Sequence, residues 1–128
     1  MIKVIMQNLL KYIEKFKELD KIQWGGGKQK DGTLQFPFPL YPVFVREFEE
    51  ELYRLELSNA SYGDTMSKND WWNQEKMIQD ISAMTIADVI ACLTAIYRQE
   101  RFCEGTIGAF IKDGTIIRLL ERLKELLQ

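Results

Sequence analysis

Three observations predict a mainly α-helical single domain, a bundle of about five helices with a short extended or hairpin segment near residues 28–40. Apolar residues recur at three- and four-residue steps over residues 3–21, prolines 37, 39 and 42 forbid a helix where they stand, and an apolar run from Ile86 to Tyr97 follows a helix-capping signal. At 128 residues, with 46% hydrophobic and 28% charged residues, the chain has the size and composition of one folded domain spanning 1–128.

Each element follows in order. Over residues 3–21, Ile5, Leu9, Tyr12, Ile13, Phe16 and Leu19 share one face and Lys and Glu the other, so one amphipathic helix is expected. The glycines at 25 to 27 end it, and Asp31-Gly32 offers a tight turn for a short hairpin. In "FPFPLYP" the prolines keep the chain extended, so Phe36, Phe38 and Leu40 are expected to point alike and strap across a core. Pro42 opens a second helix with a stripe of Tyr41, Val45, Phe48, Leu52 and Leu55, and Glu47, Glu49, Glu50 and Glu51 mostly face water. Residues 58–70, "SNASYGDTMSKND", have turn chemistry and are expected to be a loop.

Ser67 or Asp70 then caps a helix carrying Trp71, Trp72, Met77, Ile78 and Ile81. Thr85 with Asp88 resembles a capping box, and only Asp88 and Thr94 are polar between Ile86 and Tyr97. That helix should be buried nearly all round, at the centre of the fold. Gly105 and Gly114 each precede a Thr, which reads as one helix's stop and the next helix's N-cap, giving helices over 107–113 and 116–127.

A net charge of −2 and a pI near 5.3 give no overall attraction to nucleic acid or anionic membrane. The charge is uneven: residues 1–33 hold seven Lys against four acids, and residues 43–57 hold five Glu against two Arg, so the two segments are expected to pair. Cys92 and Cys103, if carried on one helix, lie about 16 Å apart, too far for a disulfide. With no apolar run near the ~20 residues of a membrane span and no signal-peptide cleavage site, a soluble, cytoplasmic protein with no membrane partner is expected.

Several places have the residue types of a site. "WGGGK" resembles a phosphate loop, but a Walker loop needs Gly and Ser or Thr where this chain has Ile22 and Gln29. A looser anion nest of Gly25, Gly26, Gly27 and Lys28 remains. Arg98 and Arg101, three apart on a helix, would share a face able to grip a carboxylate or phosphate, or else simply complement a helix C-terminus beside Glu104. Cys103 stands beside Arg101, yet the chain has no His to act as base, and two cysteines without His make no zinc set. No catalytic residue, metal ligand or cofactor is assigned.

Trp24, Trp71 and Trp72 are candidate partner contacts. Neighbours on a helix point about 100° apart, so Trp71 and Trp72 cannot both face one core, and one is expected at an interface. "PLYP" matches a minimal PxxP flanked by aromatic residues that suggest burial. Residues 106–127 have the outline of a helix-turn-helix in which Arg118 and Arg122 are candidate nucleic-acid contacts, opposed by Glu121 and Glu125.

"WGGGK", "DGTLQFPF" with Tyr41, the helix with Phe48 and Tyr53, Asp70-Trp71, "LTAIYRQERFCEG" and "DGTIIRLLERLKEL" together resemble a family of uncharacterised bacterial and phage proteins known only as a domain of unknown function. The resemblance spans nearly the whole chain and is most specific at Arg98, Arg101, Phe102, Cys103 and Gly105. It departs over residues 58–70, where the family has an aromatic-rich segment before Asp-Trp. It implies no activity, makes a phage or mobile-element setting an expectation, and directs attention to the 98–105 segment and the Trp24 loop as places that meet in the fold.

The function expected is that of a small cytosolic binding protein whose partner is itself or another protein. The alternatives are a DNA-binding protein using Arg118 and Arg122, and a small-anion binder or enzyme using Lys28, Arg98 and Arg101.

Overall fold

A computed structural model describes residues 2–19, 22–55 and 61–128. The described elements are α1 (Ile2–Leu10), α2 (Ile13–Glu18), β1 (Gln23–Lys28), β2 (Leu34–Leu40), α3 (Val43–Tyr53), α4 (Tyr62–Lys68), α5 (Gln74–Asp80), one 3-10 turn (Ile81–Ala83), α6 (Ile86–Gln99), α7 (Thr106–Lys112) and α8 (Thr115–Leu127). The fold is mainly α with one antiparallel hairpin, as the sequence predicts, but with eight helical segments among the described residues rather than about five.

The centre is α6. A capping box starts it: Asp88 N–H donates to Thr85 Oγ1 at 3.2 Å and Thr85 N–H donates to Asp88 Oδ2 at 3.0 Å. From Val89 to Tyr97 every residue is buried, because α6 packs against α3, α4, α7 and α8 at once. The buried hydroxyl of Thr94 donates to the Ile90 carbonyl at 2.7 Å, so its own donor is not stranded in the core. Helix α8 buries Ile116, Leu119, Leu120 and Leu123 and lies against α1, α2, α6 and α7. Phe48 of α3 links the layers, with its ring centroid 5.3 Å from Phe16, 5.5 Å from Tyr12 and 5.4 Å from Tyr97. The first two pairs are edge-on, the arrangement ring quadrupoles favour.

The expected helix over 3–21 is broken. Tyr12 N–H bonds the Leu9 carbonyl at 3.2 Å, three residues back, and this tightened turn separates α1 from α2. The apolar stripe survives the break, with Leu9, Ile13 and Phe16 buried. Residues 20–21 of the expected helix and residues 58–60 of the expected loop lie outside the described residues.

Further corrections concern punctuation of the chain. Glycines 25–27 sit in β1 instead of ending a helix, so the hairpin covers 23–40 rather than beginning at 28. The expected loop over 58–70 contains α4, and Trp71 and Trp72 precede α5, whose cap is Asn73, accepting from Lys76 N–H at 3.2 Å. At α7 and α8 the threonines are first-turn residues, and the preceding Gly105 and Gly114 take the left-handed conformation with φ of +96° and +83°.

Leu93, buried on the inner face of α6, is expected to cost about 2–5 kcal/mol when changed to Ala, measured by urea denaturation. Burial, aided by Asp88, pushes the Cys92 thiol up to about 12, so the fold favours its neutral form. That contribution is complete below the unfolded thiol's pKa and is lost as pH rises from about 9 toward 12, and burial of Tyr97 acts in the same direction. Unfolding free energy should therefore stay level up to about pH 8.5 and decline above it, with a smaller decline in Cys92→Ala.

Candidate functional site

Residues 98–105 leave the end of α6 and turn into α7, and they organise the surface around them. Glu100 is the pivot. Its Oε2 accepts from Gly105 N–H and its Oε1 from Ile107 N–H, both at 2.8 Å. Its Oε1 also accepts from the Tyr41 hydroxyl at 2.8 Å, and Tyr41 Oη in turn accepts from Gly108 N–H at 3.0 Å. With Thr106 N–H bonded to the Cys103 carbonyl at 3.2 Å, each N–H from Gly105 to Gly108 has a partner before the helix's own ladder begins. A carboxylate at this end is also favoured by the helix dipole. Burial pushes the Tyr41 phenol's pKa up, and Glu100 adds to it, so this hydroxyl stays protonated.

The hairpin docks on the same loop. A β-carbon on Gly105 would stand 3.0 Å from Cη2 of Trp24, so the indole lies directly against the glycine backbone. Trp24, Gly105, Gly108, Ile111 and Lys112 line a cleft of about 290 Å³. The Trp24 segment and the 98–105 segment therefore meet, at Gly105.

Across Gly105 lies a second cleft of about 370 Å³, between α4–α5 and α6–α7. Trp71 and Trp72 line it from one side and Cys103 and Glu104 from the other. Asp70 explains the tryptophans. It adopts φ +59°, a left-handed conformation Asp tolerates, and Trp71 N–H bonds back to Met66 O at 2.9 Å, which ends α4 and turns Trp71 inward. Trp71 is 5% exposed and donates its indole N–H to Asp80 Oδ2 at 2.9 Å; Trp72 is 48% exposed and donates to Ser67 Oγ at 3.2 Å. One of the pair faces outward, as expected, but a turn rather than helical spacing separates them.

The remaining candidates are dispersed. Lys28 is exposed at the end of β1, and Gly26 and Gly27, with φ of +84° and +79°, are strand residues at a register slip. The Arg98 guanidinium carbon stands 5.3 Å from the Tyr53 ring centroid and 5.4 Å from that of Tyr62, while Arg101 is exposed beyond the last residue of α6, so the two share no helical face. Arg122 is turned inward, its Nε donating to the Met84 carbonyl at 3.0 Å, and it also pairs with Glu125; Arg118 is exposed. The buried face of α8 leaves only its mixed-charge face outside. Among the described residues no group of three or more His, Cys, Asp or Glu could hold a metal, and no helix is long and apolar enough to cross a membrane.

The hairpin strand expected to strap Phe36, Phe38 and Leu40 across a core instead leaves all three exposed. Leu34, Phe36, Phe38, Leu40 and Val43 are all exposed, with Leu34 at 79% and Phe36 at 94%. Gly25 pairs with Phe38 and Gly27 with Gln35, so Gly26 faces both Phe36 and Pro37. This bulge re-aims the strand and projects Phe36 outward, and a β-carbon at Gly26 would stand 2.4 Å from the Phe36 carbonyl oxygen.

The chain matches, over residues 1–128, the model of a family described as a family of unknown function, DUF6508. It belongs to that family. No curated protein and no solved structure matches it. The segments that carry the resemblance to a domain of unknown function have physical roles: Trp24 on Gly105, Asp70 at the turn that buries Trp71, and the 98–105 loop between the two clefts. Glu100 carries no standard capping signal in the sequence, because it precedes the helix it caps and its partner Tyr41 is 59 residues away.

Glu100→Ala is expected to cost about 3 kcal/mol, because it strands backbone donors and the Tyr41 hydroxyl together, and Tyr41→Phe about 1 kcal/mol. A double-mutant cycle by urea denaturation should show coupling between the two, with a sum larger than the double variant's loss.

Proposed function

We propose that this protein is a small cytosolic interaction module that associates with a second copy of itself through the outer face and edge of its hairpin. The observation that carries this reading is the run of exposed apolar side chains Leu34, Phe36, Phe38, Leu40 and Val43. A monomer's largest apolar patch is commonly about 300–600 Å², and patches at or above that size mark interaction sites. The large aromatic side chains in this run are the residue type that anchors interfaces.

Charge favours a second copy as the occupant. Lys28 and Lys30 are exposed near the hairpin's tip, and Glu47 and Glu50 are exposed on α3, which begins at its base. In a two-fold arrangement the tip of one hairpin lies over the base of the other, so lysines of each copy meet glutamates of its partner. The edges of the sheet leave room for such contact, since among the described residues no third strand pairs with either edge.

Phe36→Asp changes a side chain that the monomer hardly uses. It should leave the melting temperature of the dilute protein unchanged and weaken association at least about tenfold, read by light scattering across a concentration series. A wild-type protein that stays monomeric at high concentration, or a Phe36→Asp protein that associates equally well, overturns the reading.

A further inference from the structure

We propose that the cleft beneath Trp72 binds the alkylated ammonium head of an organic cation. Its volume of about 370 Å³ is of small-ligand size. Its floor is apolar and aromatic, from Met66, Trp71, Met77 and Ile96, and Trp72 and Phe110 stand at its edge.

The polar groups decide the ligand's charge. Both indole N–H groups are already engaged, Trp71 with Asp80 and Trp72 with Ser67, so neither ring offers the cleft a free donor. Gln74 Nε2 donates to Asp113 Oδ2 at 2.7 Å, and the Thr106 hydroxyl donates to the Cys103 carbonyl at 2.6 Å. Gln99 and Cys103 add neutral groups. Glu104 is the one charged side chain among the lining residues, and neither Lys nor Arg is among them. An anion would meet a carboxylate and electron-rich rings. A cation with an apolar shell meets both favourably, because ring faces attract cations and the carboxylate neutralises the charge. Methylated nitrogen suits the site better than a bare ammonium, since its methyl groups can lie on the apolar floor with no hydrogen bond lost. This site lies across Gly105 from Trp24 and does not depend on hairpin association.

The test is calorimetric titration of the full chain with choline, with its neutral isostere 3,3-dimethylbutan-1-ol, and with the amide of acetylated trimethyllysine. Both ammonium compounds are expected to bind at least about tenfold more tightly than the isostere. Trp72→Ala and Glu104→Gln, both at exposed positions, should each weaken choline binding about fivefold to tenfold with the melting temperature unchanged. Tighter binding of choline would assign a free small cation, and tighter binding of the trimethyllysine compound a modified lysine of a protein. Equal binding of the isostere, no ammonium binding up to about 10 mM, or a Glu104→Gln protein that binds as the wild type does would overturn the proposal.

Discussion

The carboxylate of Glu100 holds together three parts of the chain that have little else in common. It belongs to the end of α6, it accepts from the first backbone donors of α7, and through Tyr41 it fixes the residue that joins the hairpin to α3. Helix α7 spans only seven residues, too few to be stable by propensity in water. Its stability comes from the buried Ile107 and Ile111 and from a start at which each donor is satisfied. Because charge-assisted hydrogen bonds are about twice as strong as neutral ones, one carboxylate does here what several neutral caps would do. The clefts on either side of Gly105 keep their shape only while this turn holds.

The hairpin shows how the same turn serves the surface. Two strands alone are marginal in water, and β2 contributes almost nothing to the core, with only Pro39 partly buried. What attaches the hairpin is the indole of Trp24 against Gly105 and the hydroxyl of Tyr41 on Glu100. The first depends on a glycine and the second on a partly buried polar contact. Gly105 must be glycine twice over, for its φ of +96° and for the closeness of the indole. At Gly25 a β-carbon would stand 2.7 Å from the Phe38 ring, so the glycines of β1 let an aromatic side chain lie across the strand.

What the sequence made legible was what periodicity and capping encode. The stripe in α1 and α2, the capping box at Thr85, the burial of α6 and the two C-terminal helices all follow from local pattern. Other features depended on contacts distant in sequence. Nothing local distinguishes glycines that stop a helix from glycines that let Phe38 lie on a strand. The ring of Phe36 was expected inside because aromatic residues usually are, and only the bulge opposite Gly26 turns it out. Arg98 and Arg101 looked equivalent by spacing, but α6 ends between them, so one lies over Tyr53 and Tyr62 and the other stands in solvent. Glu100 was hidden because its partners lie as far as 59 residues away, at Tyr41.

The division of labour between interior and surface bears on what the exposed side chains are for. The core closes without the hairpin's outer residues: Phe16, Phe48 and Tyr97 interlock, and α8 seals α6 from the other side. Removing Leu34, Phe36 or Val43 from water would add little to the monomer, because no core element lies over them. Exposed apolar surface of this kind carries a solubility penalty that the isolated chain does not recover. Covering it with a partner recovers that free energy at a surface that also presents unpaired strand edges, those of a two-stranded sheet. An interface there draws on burial and on main-chain pairing together.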